Sequence, residues 1–158
     1  MQTEGIKYAG SKLKLLPYIQ AATEDLGINT VLDGFSGSTR VSQMFSQRGF
    51  RVFSNDIAVW SETFATAYLL HDRPLSRYQE IIDHLNAVEG EYGWFSKHYG
   101  GAPETGGKRP FQLKNTMKLD AIRTEIDRMG LSGTDKAVAL TSLILALDSV
   151  DNTLGHYS

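Results

Sequence analysis

Thr30-Val31-Leu32-Asp33-Gly34-Phe35-Ser36-Gly37-Ser38-Thr39 decides the fold of this chain. The first four residues read as a short buried strand. The small residues after them break the strand ahead of a helix whose Val41, Met44 and Phe45 fall on one face. Ser38 or Thr39 can cap that helix, and Gly49 can end it in a left-handed conformation. Arg51 to Asn55 reads as a second strand. Residues 58–71 form another helical pattern, with Trp60, Phe64, Ala67 and Tyr68 aligned. Strand, helix, strand, helix in that order predicts a parallel sheet with right-handed crossovers.

The turn has chemical potential of its own. Small residues let the backbone approach a ligand closely, and the helix behind them offers free amides. Asp56 closes the second strand 19 residues beyond Gly37, where nucleotide-binding sheets place an acid for ribose hydroxyls. An ordinary tight strand-to-helix turn uses the same residues. The acid lowers the weight of that plain reading without separating a methyl donor from a dinucleotide.

The stretch Lys7-Tyr8-Ala9-Gly10-Ser11-Lys12 makes that separation. Tyr8 supplies an aromatic face, Gly10 a close backbone approach, and Lys12 a cation able to meet a carboxylate. S-adenosylmethionine carries a carboxylate, whereas a nicotinamide dinucleotide needs its pyrophosphate cradled. The plain alternatives are a surface lysine and a core tyrosine. A helix then spans residues 12–26, with Leu13, Leu15, Leu16, Ile19, Ala22 and Leu26 at roughly helical spacing and Pro17 in its first turn.

The second half changes character. Ser76 and Gln79 have capping-box spacing ahead of Tyr78, Ile81, Ile82, Leu85 and Val88. Residues 99–110 read as a Gly- and Pro-rich loop. Asn115 can cap a helix with Leu119, Ile122, Ile126 and Met129 inward and Gly130 as its stop. Ser132 or Thr134 opens a last apolar helix reaching about Val150. No further strand is expected there. Tyr92, Trp94, Phe95, His98 and Tyr99 can stack on bases, but their helical spacing favours a core role.

Composition bounds the rest. At 158 residues the chain has room for one modest domain with a core. A hydrophobic fraction of 41% and a charged fraction of 22% are ordinary for a soluble protein. No apolar run reaches membrane-spanning length and no signal peptide opens the chain, so a cytoplasmic location and no membrane partner are expected. Absence of cysteine excludes disulfides and thiolate metal sites. The four histidines are scattered, and Asp148 and Asp151 read as solvated carboxylates, so no metal is expected. Net charge is −2, yet Lys97, Lys108, Arg109, Lys114 and Lys118 face only Glu104 in their segment. Such a cationic stretch meets phosphate or is a solvated loop.

These motifs together resemble the D12-class (Dam-like) DNA N6-adenine methyltransferases. Ile6 to Lys12 followed by Leu15-Leu16-Pro17 is similar to the family's N-terminal motif. Asp33 to Ser38 is similar to its donor-binding loop, and Asn55-Asp56-Ile57 to the acidic motif after it. Trp94-Phe95-Ser96-Lys97, Lys108-Arg109-Pro110-Phe111, the helix from Asn115 to Ile126 with Asp120-Ala121-Ile122-Arg123, and Asp151 to Tyr157 follow in the family's order. Gly34 stands where many relatives carry Pro, and Thr39 where many carry Gly, which implies altered loop geometry with binding retained.

The resemblance implies a partial Rossmann-like α/β methyltransferase sheet in residues 1–72, holding S-adenosylmethionine through Tyr8, Lys12, Asp33, Phe35, Ser36, Gly37, Ser38 and Asp56. An all-helical insertion, residues 73–158, would face double-stranded DNA with Lys97, Lys108, Arg109, Lys114 and Lys118. The family's catalytic Asp/Asn-Pro-Pro-Tyr/Phe is absent, since Pro17, Pro74, Pro103 and Pro110 are never adjacent. The expectation is therefore the cofactor part of an adenine methyltransferase, inactive alone, that needs a catalytic half or a separate chain bearing it. Self-association through unpaired sheet edges is also expected. A non-catalytic module binding the cofactor or DNA is the alternative.

Overall fold

The structure is a computed structural model that describes residues 2–7, 10–101 and 109–151. Its contacts divide the chain into two compact units, residues 1–71 and 72–158.

In the first unit a short 3-10 turn, Leu13–Leu15, leads into α1 (Leu16–Thr23), then β1 (Thr30–Asp33), α2 (Arg40–Gln47), β2 (Arg51–Ser54) and α3 (Val59–Leu69). The two strands pair in parallel, with Val31 beside Val52 and Leu32 beside Phe53. Side chains alternate across the pleat. Val31, Asp33, Val52 and Ser54 are half-buried, whereas Leu32 is 69% and Phe53 49% exposed. The core is Met44, Phe45, Phe64 and Ala67, with Phe50 edge-on to Phe45 and Trp60 edge-on to Phe64. Gly49 ends α2 at φ 82°, as its sequence position predicts.

Two expectations for this unit are corrected. No residue of α1 is buried, and Leu13, Leu15 and Leu26 are exposed. The helix touches α2, and Leu16, Ile19 and Thr23 are half-buried. Nor does Ser38 or Thr39 cap α2 through its side chain. Thr39 instead takes a left-handed backbone, φ 62°, which costs a residue with a β-carbon about 1–2 kcal/mol. Here a glycine would adopt the same turn freely. The conformation is held by a Thr39 N–H bond to Ser36 O at 2.7 Å, and the Thr39 hydroxyl donates to Ser38 O.

The second unit contains α4 (Leu75–Ala87), α5 (Trp94–Tyr99), β3 (Gly100–Gly101), β4 (Phe111–Gln112), α6 (Leu113–Arg128) and α7 (Gly133–Ser149). Ile81, Leu85, Ile122, Ile126 and Ala139 form its core, with Met129, Leu131, Leu140 and Leu143 packed around them. The helices fall where the apolar periodicity puts them, and Gly130 stops α6 at φ 61°. The expectation of no further strand is overturned. Gly100 and Gly101 pair in parallel with Phe111 and Gln112, a contact between distant residues that periodicity does not register. The expected side-chain caps are absent too. Pro74 precedes α4 with no cap bond, Gln79 bonds to Asp83 at 2.7 Å, and α6 begins at Leu113, ahead of Asn115.

A third correction concerns the aromatic cluster. Tyr92 is 64% and Trp94 59% exposed, and His98 and Tyr99 are exposed with them, so these rings are not core. Their helix faces outward because its buried side is occupied by Asp120 on α6. The Asp120 carboxylate, 7% exposed, accepts from Gly93 N at 3.0 Å, Phe95 N at 2.9 Å, Ser96 N at 2.9 Å and Ser96 Oγ at 2.7 Å. A β-carbon at Gly93 would lie 2.7 Å from Asp120 Cγ, so only glycine lets the chain pass this close. Burial pushes the Asp120 carboxyl up, but the bonds from Ser96, Phe95 and Gly93 outweigh it and hold the group below its ordinary value.

Asp120→Ala should lower the unfolding free energy by about 2–4 kcal/mol in urea titrations, because several buried amides lose a charged acceptor at once. Acid should weaken the second unit through the same chemistry. Hydrogen bonds from Arg128 and then His84 hold Glu125 below its ordinary 4.5, and Asp120 likewise lies below 3.8. In that range the unfolded chain binds more protons than the folded one. Their stabilisation is therefore complete above those ordinary values and lost as pH falls through the depressed ones, which urea midpoints between about pH 5 and pH 3 will register.

Candidate functional site

The turn after β1 is built by the segment after β2. Asn55 N–H donates to Asp33 O at 2.9 Å, its side-chain amide to Gly34 O at 3.1 Å, and its carbonyl accepts from Ser36 N at 2.9 Å. Asp56 then accepts Gly37 N–H on Oδ2 at 2.9 Å and Ala58 N–H on Oδ1 at 3.0 Å. Ser61, in the first turn of α3, shares a hydrogen bond with Ser36 Oγ at 3.1 Å and donates to Gly37 O. Gly37 itself sits at φ 49°, a left-handed conformation natural to glycine. Gly34 O, Ser36 N and Gly37 N thus have partners in the segment after β2, and Gly37 O has one on α3.

The bonds from Ala58 and then Gly37 hold the Asp56 carboxyl below its ordinary value, so it is ionised at neutral pH. Each oxygen uses one lone pair on an amide and keeps another. A half-exposed carboxylate with that spare capacity can accept hydroxyl donors such as those of a ribose.

Two clefts in the first unit flank this turn. One, of about 530 Å³, is lined by Lys12, Asp33, Phe35, Ser36, Ser38 and Arg40, together with apolar side chains of α1, β1 and α2. The other, of about 460 Å³, is lined by Ser36, Asn55, Asp56, Ser61 and the face of α3 that carries Glu62, Ala65 and Thr66. Both volumes fall within the roughly 300–1,000 Å³ of small-molecule sites. Ser36 borders both clefts. Lys12 and Asp56, expected in one pocket, line different clefts on either side of the turn. Phe35 is 94% exposed, and among the described residues no ring stacks on it. The Asp33 carboxylate accepts from Ser42 Oγ at 2.6 Å, and Ser42 also bonds to Ser54 Oγ, so Asp33 ties β1 to α2 and β2. Lys12 Nζ donates to Gly10 O at 2.9 Å.

The first cleft matches an amphipathic, partly anionic ligand. Lys12 and Arg40 supply cations, while Ile19, Val31, Leu32, Val41 and Phe45 supply apolar wall. Those residues fit a molecule with a carboxylate and an aliphatic chain. The second cleft adds the acceptor for hydroxyls. Tyr8 lies outside the described residues.

Sequence reasoning missed what holds the N-terminal motif in place. Arg40, Gln43 and Gln47 follow one side of α2, and each grips the segment before the motif. The Arg40 guanidinium donates to Thr3 O and, at 3.0 Å, to Gly5 O. Gln43 accepts from Glu4 N and donates to Glu4 O, both at 2.9 Å, and Gln47 donates to Gln2 O at 2.8 Å. The spacing of long polar side chains along an otherwise buried helix face was the available signal.

In the second unit the expected phosphate-binding residues separate. Lys97 on α5 and Lys114 on α6 are exposed, and Arg109 donates to His98 O at 2.7 Å at the end of α5. The Lys118 ammonium is held by the carbonyls of Asn86 and Val88 at the end of α4. Lys108 lies outside the described residues, as does the segment from Asn152 to Tyr157. Among the described residues no cluster of His, Asp or Glu is arranged to hold a metal ion, and no helix is long and apolar enough to cross a membrane.

Residues 8–154 match the family described as D12 class N6 adenine-specific DNA methyltransferase. The chain is 29% identical over 159 aligned positions to the Type II methyltransferase M.CviAII of Paramecium bursaria Chlorella virus 1, an alignment covering 94% of this chain and 47% of that protein. The chain thus spans about half the length of this curated relative. No solved structure matches it.

Asp56→Ala should leave the amides of Gly37 and Ala58 without acceptors. Hydrogen exchange followed by NMR should show those two amides speeding by more than about tenfold, while Val31 and Val52 in the strand pair stay protected.

Proposed function

The chain belongs to the D12 class of N6 adenine-specific DNA methyltransferases, and on that premise we propose that its first unit binds S-adenosylmethionine while its second faces double-stranded DNA. The observation that carries this is the Asp56 bridge, which sets the glycine turn, leaves acceptor capacity for ribose hydroxyls, and stands beside a cleft bearing Lys12. In this reading Lys12 meets the carboxylate of the methionine part and Asp56 holds the ribose. Ser36, Gly37 and Ser38 give the close backbone approach, Phe35 lies against the adenine, and Asp33 fixes the strand end through Ser42. Tyr8 is assigned to the same ligand. When bound, S-adenosylmethionine supplies an electrophilic methyl group for N6 of adenine.

Residues 1–71 then correspond to part of a Rossmann-like methyltransferase sheet. Its bare face, with Leu32 and Phe53, and its unpaired strand edges would be covered by further strands or by self-association. Lys97, Arg109 and Lys114 are the phosphate contacts of the second unit, with Lys108 assigned beside them; the bonds of Lys118 to α4 favour a structural part for it. These 158 residues contain no Pro-Pro-aromatic clamp for an extruded base. We therefore assign that clamp to residues beyond them, on the same polypeptide or on a separate chain. The alternative is a module that binds cofactor or DNA without chemistry.

Calorimetry with S-adenosylmethionine tests the cofactor site. Binding should be measurable, and Lys12→Ala or Asp56→Ala should weaken it by about tenfold or more, the effect of losing a charge-assisted contact. No heat with the unaltered chain would refute a preformed site. On adenine-containing DNA the chain alone should transfer no methyl group; turnover by it would overturn the assignment of the clamp elsewhere. Cofactor binding that never yields methylation, even with a chain bearing the clamp, would favour the non-catalytic module.

A further inference from the structure

α5 contains no aliphatic side chain, yet it presents rings to solvent. Trp94 lies at the centre, 5.0 Å from the Phe95 ring at 89°, 4.8 Å from His98 at 41° and 5.6 Å from Tyr99 at 58°. With 59% of Trp94 exposed, one side of this cluster has no cover among the described residues. The cluster is fixed where it stands, since Asp120 takes the amides of Phe95 and Ser96 at the start of the helix.

We propose that the exposed ring cluster of α5, centred on Trp94, is a stacking surface for a nucleobase that has left the duplex stack. The proposal rests on the DNA-facing reading of the second unit and deepens it. Two observations favour a base over a protein partner. Residues 92–101 and 109–117 carry Lys97, Arg109 and Lys114 and no acid, a charge complement to phosphate. Lys97 rises from α5 itself, and Arg109 is bonded to the backbone of His98, so one cation stands on this helix and another at its end. Bases inside a duplex already stack on both faces, so the ring surface suits one that does not. A reaction on the amino group of a base requires such an unstacked base. Stacking on an aromatic face is sequence-tolerant, so the cluster would steady a displaced base and leave sequence reading to other side chains.

Fluorescence anisotropy with two labelled duplexes, one fully paired and one carrying a single unpaired nucleotide, tests this on the full chain. The unaltered protein should bind the second duplex about tenfold more tightly, the scale of one stacked base. Trp94→Ala and Trp94→Leu should abolish that preference, while Trp94→Phe keeps most of it. The Leu and Phe variants have similar bulk, so their difference reports the ring rather than folding, and circular dichroism checks that both fold. Lys97→Ala should weaken both duplexes alike and reduce the salt slope by about one. Equal affinity of the unaltered protein for the two duplexes, or a preference that survives Trp94→Leu, overturns the stacking proposal alone. Binding to neither duplex overturns the DNA-facing reading along with it.

Discussion

In both units a tight segment depends on a carboxylate that accepts its backbone amides. A tight turn exposes N–H groups that no helix or strand can satisfy, and leaving them unpaired costs more than a single hydrogen bond returns. Asp56 answers this for the glycine turn by taking Gly37 N–H, and its other oxygen opens α3 through Ala58 N–H. Asp120 answers it for α5 by taking three amides and a hydroxyl. Each carboxylate is held in its ionised form by those donors, which strengthens the bonds in return. The glycine turn and the ring surface are therefore shaped by the chain itself.

Pre-shaping extends upstream of the turn. Arg40, Gln43 and Gln47 hold residues 2–5 along α2, so the motif that continues to Lys12 starts from a fixed place. The strain at Thr39 belongs to the same economy of space. A left-handed residue is needed where the turn enters α2, and the bonds from Thr39 to Ser36 and Ser38 offset part of the cost of a branched side chain there. The predicted change in loop geometry at this position is thus a change in conformational cost, since Thr39 adopts the backbone that glycine would adopt freely.

Much of the architecture was legible because it follows from local periodicity. The strands at Thr30 and Arg51, the helix between them, and the inward faces of α4 and α6 are statements about which residues are apolar and at what spacing. The glycine turn and Asp56 were legible as a pair because the length of a crossover helix fixes their separation. The caps were not. Ser76 and Asn115 fall inside their helices, while Thr39 and Ser132 stand at the cap position, and none of the four makes the bond; Thr39 is left-handed there and its hydroxyl donates to Ser38 O instead. Local sequence states what a side chain can do, and helix registry decides whether it does so.

What the sequence by itself determined is the order of elements and the parallel crossover of the first unit, since these depend on neighbours in the chain. Tertiary structure alone decided how the side chains are shared out. Lys12 and Asp56 fall in separate clefts on either side of one turn. Lys118 turns from solvent to the end of α4. The rings of α5 face outward because Asp120, 26 positions beyond Trp94 in the sequence, occupies the inward side. The same aromatic spacing suits a core helix and an exposed one. Only the position of a buried carboxylate, reached through folding, distinguishes them.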